Sequence, residues 1–139
     1  KRTVVEPKTI INKVHIQEQQ KIALQHLAFM KGVNAQNEKI MSVEQFNQLI
    51  AALSSLIENE LVPAIGNPLP QIKLPNNYIR YTFYLLHKTL YTTKSIKESW
   101  INFLHDMFSQ FKNNERATTK AKFSEKPSMY DAELQQLKK

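Results

Sequence analysis

Between Ser42 and Pro63 the chain carries the pattern that most restricts its fold. Phe46, Leu49, Ile50, Leu53, Leu56, Ile57 and Leu61 recur with a three- and four-residue period. That period gathers them on one face of an α-helix and on no single face of a strand. Ser42-Val43-Glu44-Gln45 supplies the start of the helix as a capping box, in which the Ser hydroxyl accepts from the N3 amide and Gln45 reaches back to the cap amide. Pro63 supplies the stop. An apolar stripe four turns long has to be buried, against the chain's own core or against a partner.

Other segments show the same period. His15, Ile16, Ile22, Ala23, Leu24, Leu27, Phe29 and Met30 predict a helix over 12–31, closed by Gly32 at C′ and preceded by an extended or frayed arm that holds Pro7. Ile79, Phe83, Leu86 and Leu90 predict a helix over 77–91, capped by Asn76 or Asn77. After the turn Thr92-Thr93-Lys94, Ser95-Ile96-Lys97-Glu98 reads as a second capping box. It would open a helix over 95–111 whose stripe is Ile96, Trp100, Leu104, Met107, Phe108 and Phe111. A short basic helix over about 116–124 and a last one after Pro127, carrying Met129, Leu134 and Leu137, complete the pattern. The fold expected is all-α, with five or six helices in a compact bundle.

Residues 62–76 hold Pro63, Pro68, Pro70 and Pro75 beside Gly66 and Asn67. Each Pro lacks a donor and restricts its predecessor, so the segment cannot enter a helix interior or a central strand. It reads as a stiff linker between an N-terminal arm with two helices (1–61) and a basic helical module (77–139), the whole being short enough for one compact domain.

Several function classes lack their raw material. The 139 residues contain no cysteine and two glycines, which excludes thiol catalysis, cysteine-ligated zinc, a P-loop and a dinucleotide fingerprint. No apolar run reaches the ~18 residues of a membrane span. The absence of cysteine suits a cytoplasmic protein. Position 1 is Lys and residues 1–10 lack an apolar core, so no signal peptide is expected, and the chain reads as a fragment as readily as a whole protein. The four histidines form no i,i+4 pair and no HExxH motif, so neither a metal ligand set nor a cofactor is expected. His26 and His105 are placed at the margins of helix–helix contacts. Ser109 stands four residues from His105, yet no nucleophile elbow accompanies the pair, and an enzyme is not expected.

Charge gives the functional hint. Of the net +7, residues 1–76 carry +2 and residues 77–139 carry +5. Lys112, Arg116, Lys120, Lys122 and Lys126 face only Glu115 and Glu125 within fifteen residues, a field that attracts phosphates or acidic surfaces. On the 77–91 helix, Arg80, Tyr84, Lys88 and Tyr91 run opposite the apolar face. Cations there can neutralise phosphate, while phenols can donate to it or stack on bases. The alternatives are a solvated helix surface for the cations and rim packing for the tyrosines. With Thr118 and Thr119, whose hydroxyls would contact phosphate oxygens, these residues form the candidate double-stranded DNA interface. The module has the size of a tri-helical or winged-helix DNA-binding unit. A competing use of the chain is a helical interaction module, or a homodimer joined through the Phe46 to Leu61 stripe.

Tyr84-Leu85-Leu86-His87, Ile96-Lys97-Glu98, Phe103-Leu104, Phe108, Arg116 and Thr118-Thr119 together resemble the C-terminal module of RteC-type proteins, regulators carried by conjugative transposons. The resemblance covers about residues 78–123. It implies a DNA-binding or transcription-regulating accessory protein of a mobile element.

Overall fold

The computed structural model describes residues 5–34, 36–91 and 95–127, with side chains from His15 onward. Among these residues five α-helices run in the order α1 (Val5–Leu27), α2 (Val43–Asn59), α3 (Asn76–Leu90), α4 (Glu98–Met107) and α5 (Arg116–Ala121). Short 3₁₀ turns follow α1 at Ala28–Lys31 and α4 at Ser109–Phe111. The described residues hold no strand beyond two isolated bridges, Val33 with Lys39 and Leu69 with Phe108. The all-α expectation holds, and no wing hairpin occurs among them.

The Ser42 capping box forms as read: Gln45 N–H donates to Ser42 Oγ at 3.1 Å and Ser42 N–H to Gln45 Oε1 at 2.8 Å. Phe46, Leu49, Leu53, Leu56 and Ile57 are buried. Leu61 does not join them. The helix closes at Asn59 and Glu60 turns into the left-handed region (φ 59°), which carries Leu61 off the stripe and leaves it 71% exposed.

α1 begins earlier than the sequence suggests. Pro7 lies in its first turn, where the missing N–H would have had no intrahelical partner in any case, so an extended arm over 5–11 gives way to helix. Polar side chains lock α1 in place: Gln19 donates to the Leu90 carbonyl, Gln20 to the Ser54 carbonyl, and the His26 imidazole bonds the Thr82 carbonyl. His26 thus sits at a helix–helix margin, as read.

The Pro-rich segment is a strap, and not a linker that separates two units. Leu69, Ile72 and Leu74 are buried in the same core as the helices. Its backbone groups find partners without a sheet: Leu69 N–H donates to the Met107 carbonyl, Ser109 N–H to the Leu69 carbonyl, and Lys73 N–H to the Ile40 carbonyl. Gln110 adds a polar clasp. Its Oε1 accepts from Ile72 N–H, and its Nε2 donates to the Leu74 carbonyl and Asn76 Oδ1.

That strap ends the 95–111 helix early. Pairing with Leu69 holds Phe108 extended (φ −107°, ψ 110°), so α4 stops at Met107 and a 3₁₀ turn carries Phe111 back into the core. α4 also starts late, at Glu98, with Lys97 as its cap and no side-chain capping bond, so the Ser95 box does not form. The Lys97 amide is taken instead by His87 Nε2 at 3.1 Å. α3 is capped by Pro75, and Asn76 serves the Gln110 clasp in place of a cap. The expected helix after Pro127 lies outside the described residues.

Candidate nucleic-acid interface

α5 is six residues long, too short to stand without tertiary contacts. One inward residue of the helix and one just after it supply them. Thr119 is buried and its Oγ1 lies 2.7 Å from His105 Nε2. Phe123, just past the helix, is buried edge-on against Tyr84 of α3, ring centroids 5.7 Å apart. With these inside, Arg116, Thr118, Lys120 and Lys122 face outward and are exposed.

Exposed ion pairs tie this basic edge to α4. Arg116 Nη1 donates to Asn102 Oδ1 at 2.7 Å and Nη2 to Asp106 at 3.0 Å. Lys120 reaches Glu98 at 2.9 Å. Pairs this exposed hold their partners weakly, at about 0–1 kcal/mol each, so a stronger anion can compete for either cation. Lys112 and Lys122 are exposed and make no ion pair among the described residues.

The other proposed face, on α3, is not one open surface. Arg80 is turned inward: Nε donates to the Lys122 carbonyl at 3.1 Å and Nη2 to Glu125 at 3.3 Å, with only 11% of the side chain exposed. It anchors the end of α5 and is not presented to a duplex. Thr119 is withdrawn for the same reason. Tyr84 is half-buried between Tyr81 and Phe123. Tyr91 packs on His87 and Trp100 under the Lys97 ammonium, and burial raises its phenol pKa. Among the described residues Lys88 alone of the four α3-face residues is fully open. The structure therefore gathers Lys112, Arg116, Thr118, Lys120 and Lys122, and leaves Lys88 apart on α3.

Beside this edge lies a cleft of about 290 Å³ lined by Pro68, His105, Ser109, Lys112, Asn114 and Arg116. His105 is half-buried, and burial, then the Arg116 charge, lower its pKa against a smaller opposing effect of Asp106. The imidazole is therefore neutral at pH 7, and the positive charge of the cleft comes from Lys112 and Arg116. Sequence reasoning placed His105 at the margin of a helix–helix contact and weighed it with Ser109 as a catalytic pair on one helix, but did not see this cleft. The cleft that both line is closed on one side by Pro68 of the strap, a contact with no local signal in the sequence. Among the described residues no three His, Asp or Glu side chains cluster to hold a metal ion, and no helix is long and apolar enough to cross a membrane.

Compared with known proteins, the chain matches no family model, no curated protein and no solved structure.

Proposed function

We propose that the protein is a DNA-binding accessory factor that contacts duplex phosphates through the outer side of α5 and the turn before it. The observation that carries this reading is the sorting of α5. Its inward Thr119 is spent on His105 and Phe123 just after it on the core, while Lys112, Arg116, Lys120 and Lys122 are left on one exposed edge with the Thr118 hydroxyl among them. The resemblance to RteC-type modules supports a regulatory role in a mobile element; α4 packs on α5, and α3 meets α4 and the segment after α5. The competing interaction-module reading loses its main surface, because the α2 stripe is buried in the chain's own core.

The test is fluorescence anisotropy with a mixed-sequence duplex at about 50 and 200 mM salt. Four phosphate contacts give a log–log slope near −3.6, a loss of roughly a hundredfold over that range. In the double variant Lys112→Ala/Lys122→Ala the slope should shrink by about 2, with helicity unchanged because neither side chain makes an ion pair among the described residues. Absence of binding at low salt, or an unchanged slope in the variant, would remove this surface as the contact.

A further inference from the structure

The geometry points to the cleft between the end of α4, the following 3₁₀ turn and the start of α5 as a pocket for a single phosphate group, seated between Lys112 and Arg116. This builds on the phosphate-contact reading above but concerns one concave site instead of an extended edge. At about 290 Å³ the cleft lies at the lower limit of the ~300–1,000 Å³ typical of small-molecule pockets, so it suits a compact polyatomic anion better than a nucleobase or a peptide.

Its lining is matched to that anion. Among the described residues Lys112 supplies an ammonium without an ion pair, and no Asp or Glu lines the cleft. Arg116 is held in place by Asn102 and Asp106 through one N–H on each terminal nitrogen, and a guanidinium carries five such donors. The anchoring bonds thus fix its plane while leaving it further N–H groups for a phosphate oxygen. Ser109 and Asn114 add a hydroxyl and an amide, both able to donate to an oxyanion.

His105 forms the wall and its orientation is fixed. Thr119 Oγ1 lies 2.7 Å from His105 Nε2 and 3.3 Å from the Glu115 carbonyl, which ties the ring at Nε2 whichever of the two atoms carries the shared proton. Phe111 packs on the ring, centroids 5.5 Å apart. The imidazole is thereby a rigid reporter of what enters the cleft.

The experiment titrates inorganic phosphate into the whole protein and follows the His105 ring signals by NMR, assigned by their loss in His105→Gln, against potassium chloride at matched ionic strength. A saturable shift specific to phosphate is expected. It should weaken at least tenfold in Lys112→Ala and stay unchanged in Lys122→Ala, which alters the basic edge outside the cleft. An equal response to chloride, or full phosphate affinity in Lys112→Ala, overturns the pocket. A second titration with a short duplex separates the two sources of phosphate. If the duplex shifts the same signals and inorganic phosphate competes with it, the pocket takes a backbone phosphate of DNA. If phosphate binds and the duplex does not, the pocket stands as a site for a small phosphorylated ligand and the DNA reading falls. Duplex binding that leaves His105 unmoved, together with no phosphate response, would keep the DNA reading and refute the pocket.

Discussion

Two regions of this molecule use the same residue types to opposite ends. The seam that α3 makes with α4 and with the segment after α5 contains an arginine, a histidine and aromatic rings, and so does the edge between α4 and α5. In the seam, Arg80 and His87 are buried and their polar atoms face protein groups: the Lys122 carbonyl and Glu125 for one, the Lys97 amide for the other. At the edge, Arg116 is 48% exposed and His105 half-buried, and their remaining capacity faces a cleft. Burial without an unmet polar group produces stability, whereas partial exposure with spare donors produces a place to bind. Identity alone does not assign an Arg or a His to either role; the surface it is packed under does.

The largest test of this contrast is Trp100→Ala. Trp100 is 1% exposed, with Phe83, His87 and Tyr91 against its ring at centroid distances of 5.3–6.3 Å. Its loss should cost about 3–5 kcal/mol, read as a fall in the denaturation midpoint by circular dichroism. A midpoint close to wild type would mean that the seam is not the stabilising region.

The next effect is one of pH. Burial, aided by the Lys97 charge, pulls the His87 pKa from its ordinary 6.5 down to about 4. Above pH 6.5 the imidazole is neutral in folded and unfolded chains alike, so it adds no pH dependence. Between 6.5 and 4 the unfolded chain takes up a proton that the folded one refuses, and stability falls with falling pH by up to about 3 kcal/mol. His87→Gln keeps an acceptor for the Lys97 amide but has no proton to gain. Urea midpoints measured from pH 7 to pH 4 should fall less steeply in that variant than in wild type; parallel curves would show that another group drives the loss.

The seam also explains which parts of the molecule were legible in the sequence. Helix positions followed from apolar spacing, because the stripes supply much of the core: Phe46, Leu49, Leu53, Leu56 and Ile57 on α2, and Ile79, Phe83 and Leu86 on α3. Local polar patterns were less dependable. Ser42 and Ser95 begin the same motif, yet only the first caps a helix, since His87 recruits the Lys97 amide and α4 starts after it. The Pro-rich strap carries its own apolar residues, Leu69, Ile72 and Leu74, but their partners lie more than thirty residues away on the α4 side. Arg80 looked like part of an outer face by its spacing with Tyr84 and Lys88. It also neighbours Ile79 and Phe83 on the helix surface, and the segment after α5 closes over it. Of the candidate interface, the basic stretch 112–122 was readable as charge; its cleft was not, because Pro68 of the strap closes it on one side.

The smallest and most discriminating test compares the two arginines. Arg80→Ala removes a charge-assisted bond to the Lys122 carbonyl and the buried stem that carries it; its ion pair adds little, since Glu125 is 61% exposed. A loss of about 1.5–3 kcal/mol is expected. Arg80→Met, which keeps an apolar stem, should recover part of it. Arg116→Ala breaks a pair in which both partners are more than 40% exposed, and should cost at most about 1 kcal/mol. Function should invert the order. Arg116→Ala should weaken phosphate and duplex binding directly, while Arg80→Ala should act on binding only by releasing the end of α5, an effect that Arg80→Met should share in proportion to its lost stability. Equal stability losses at the two positions would break the distinction between seam and edge. A binding defect in Arg80→Met out of proportion to its stability would place Arg80 back among the residues that meet the ligand.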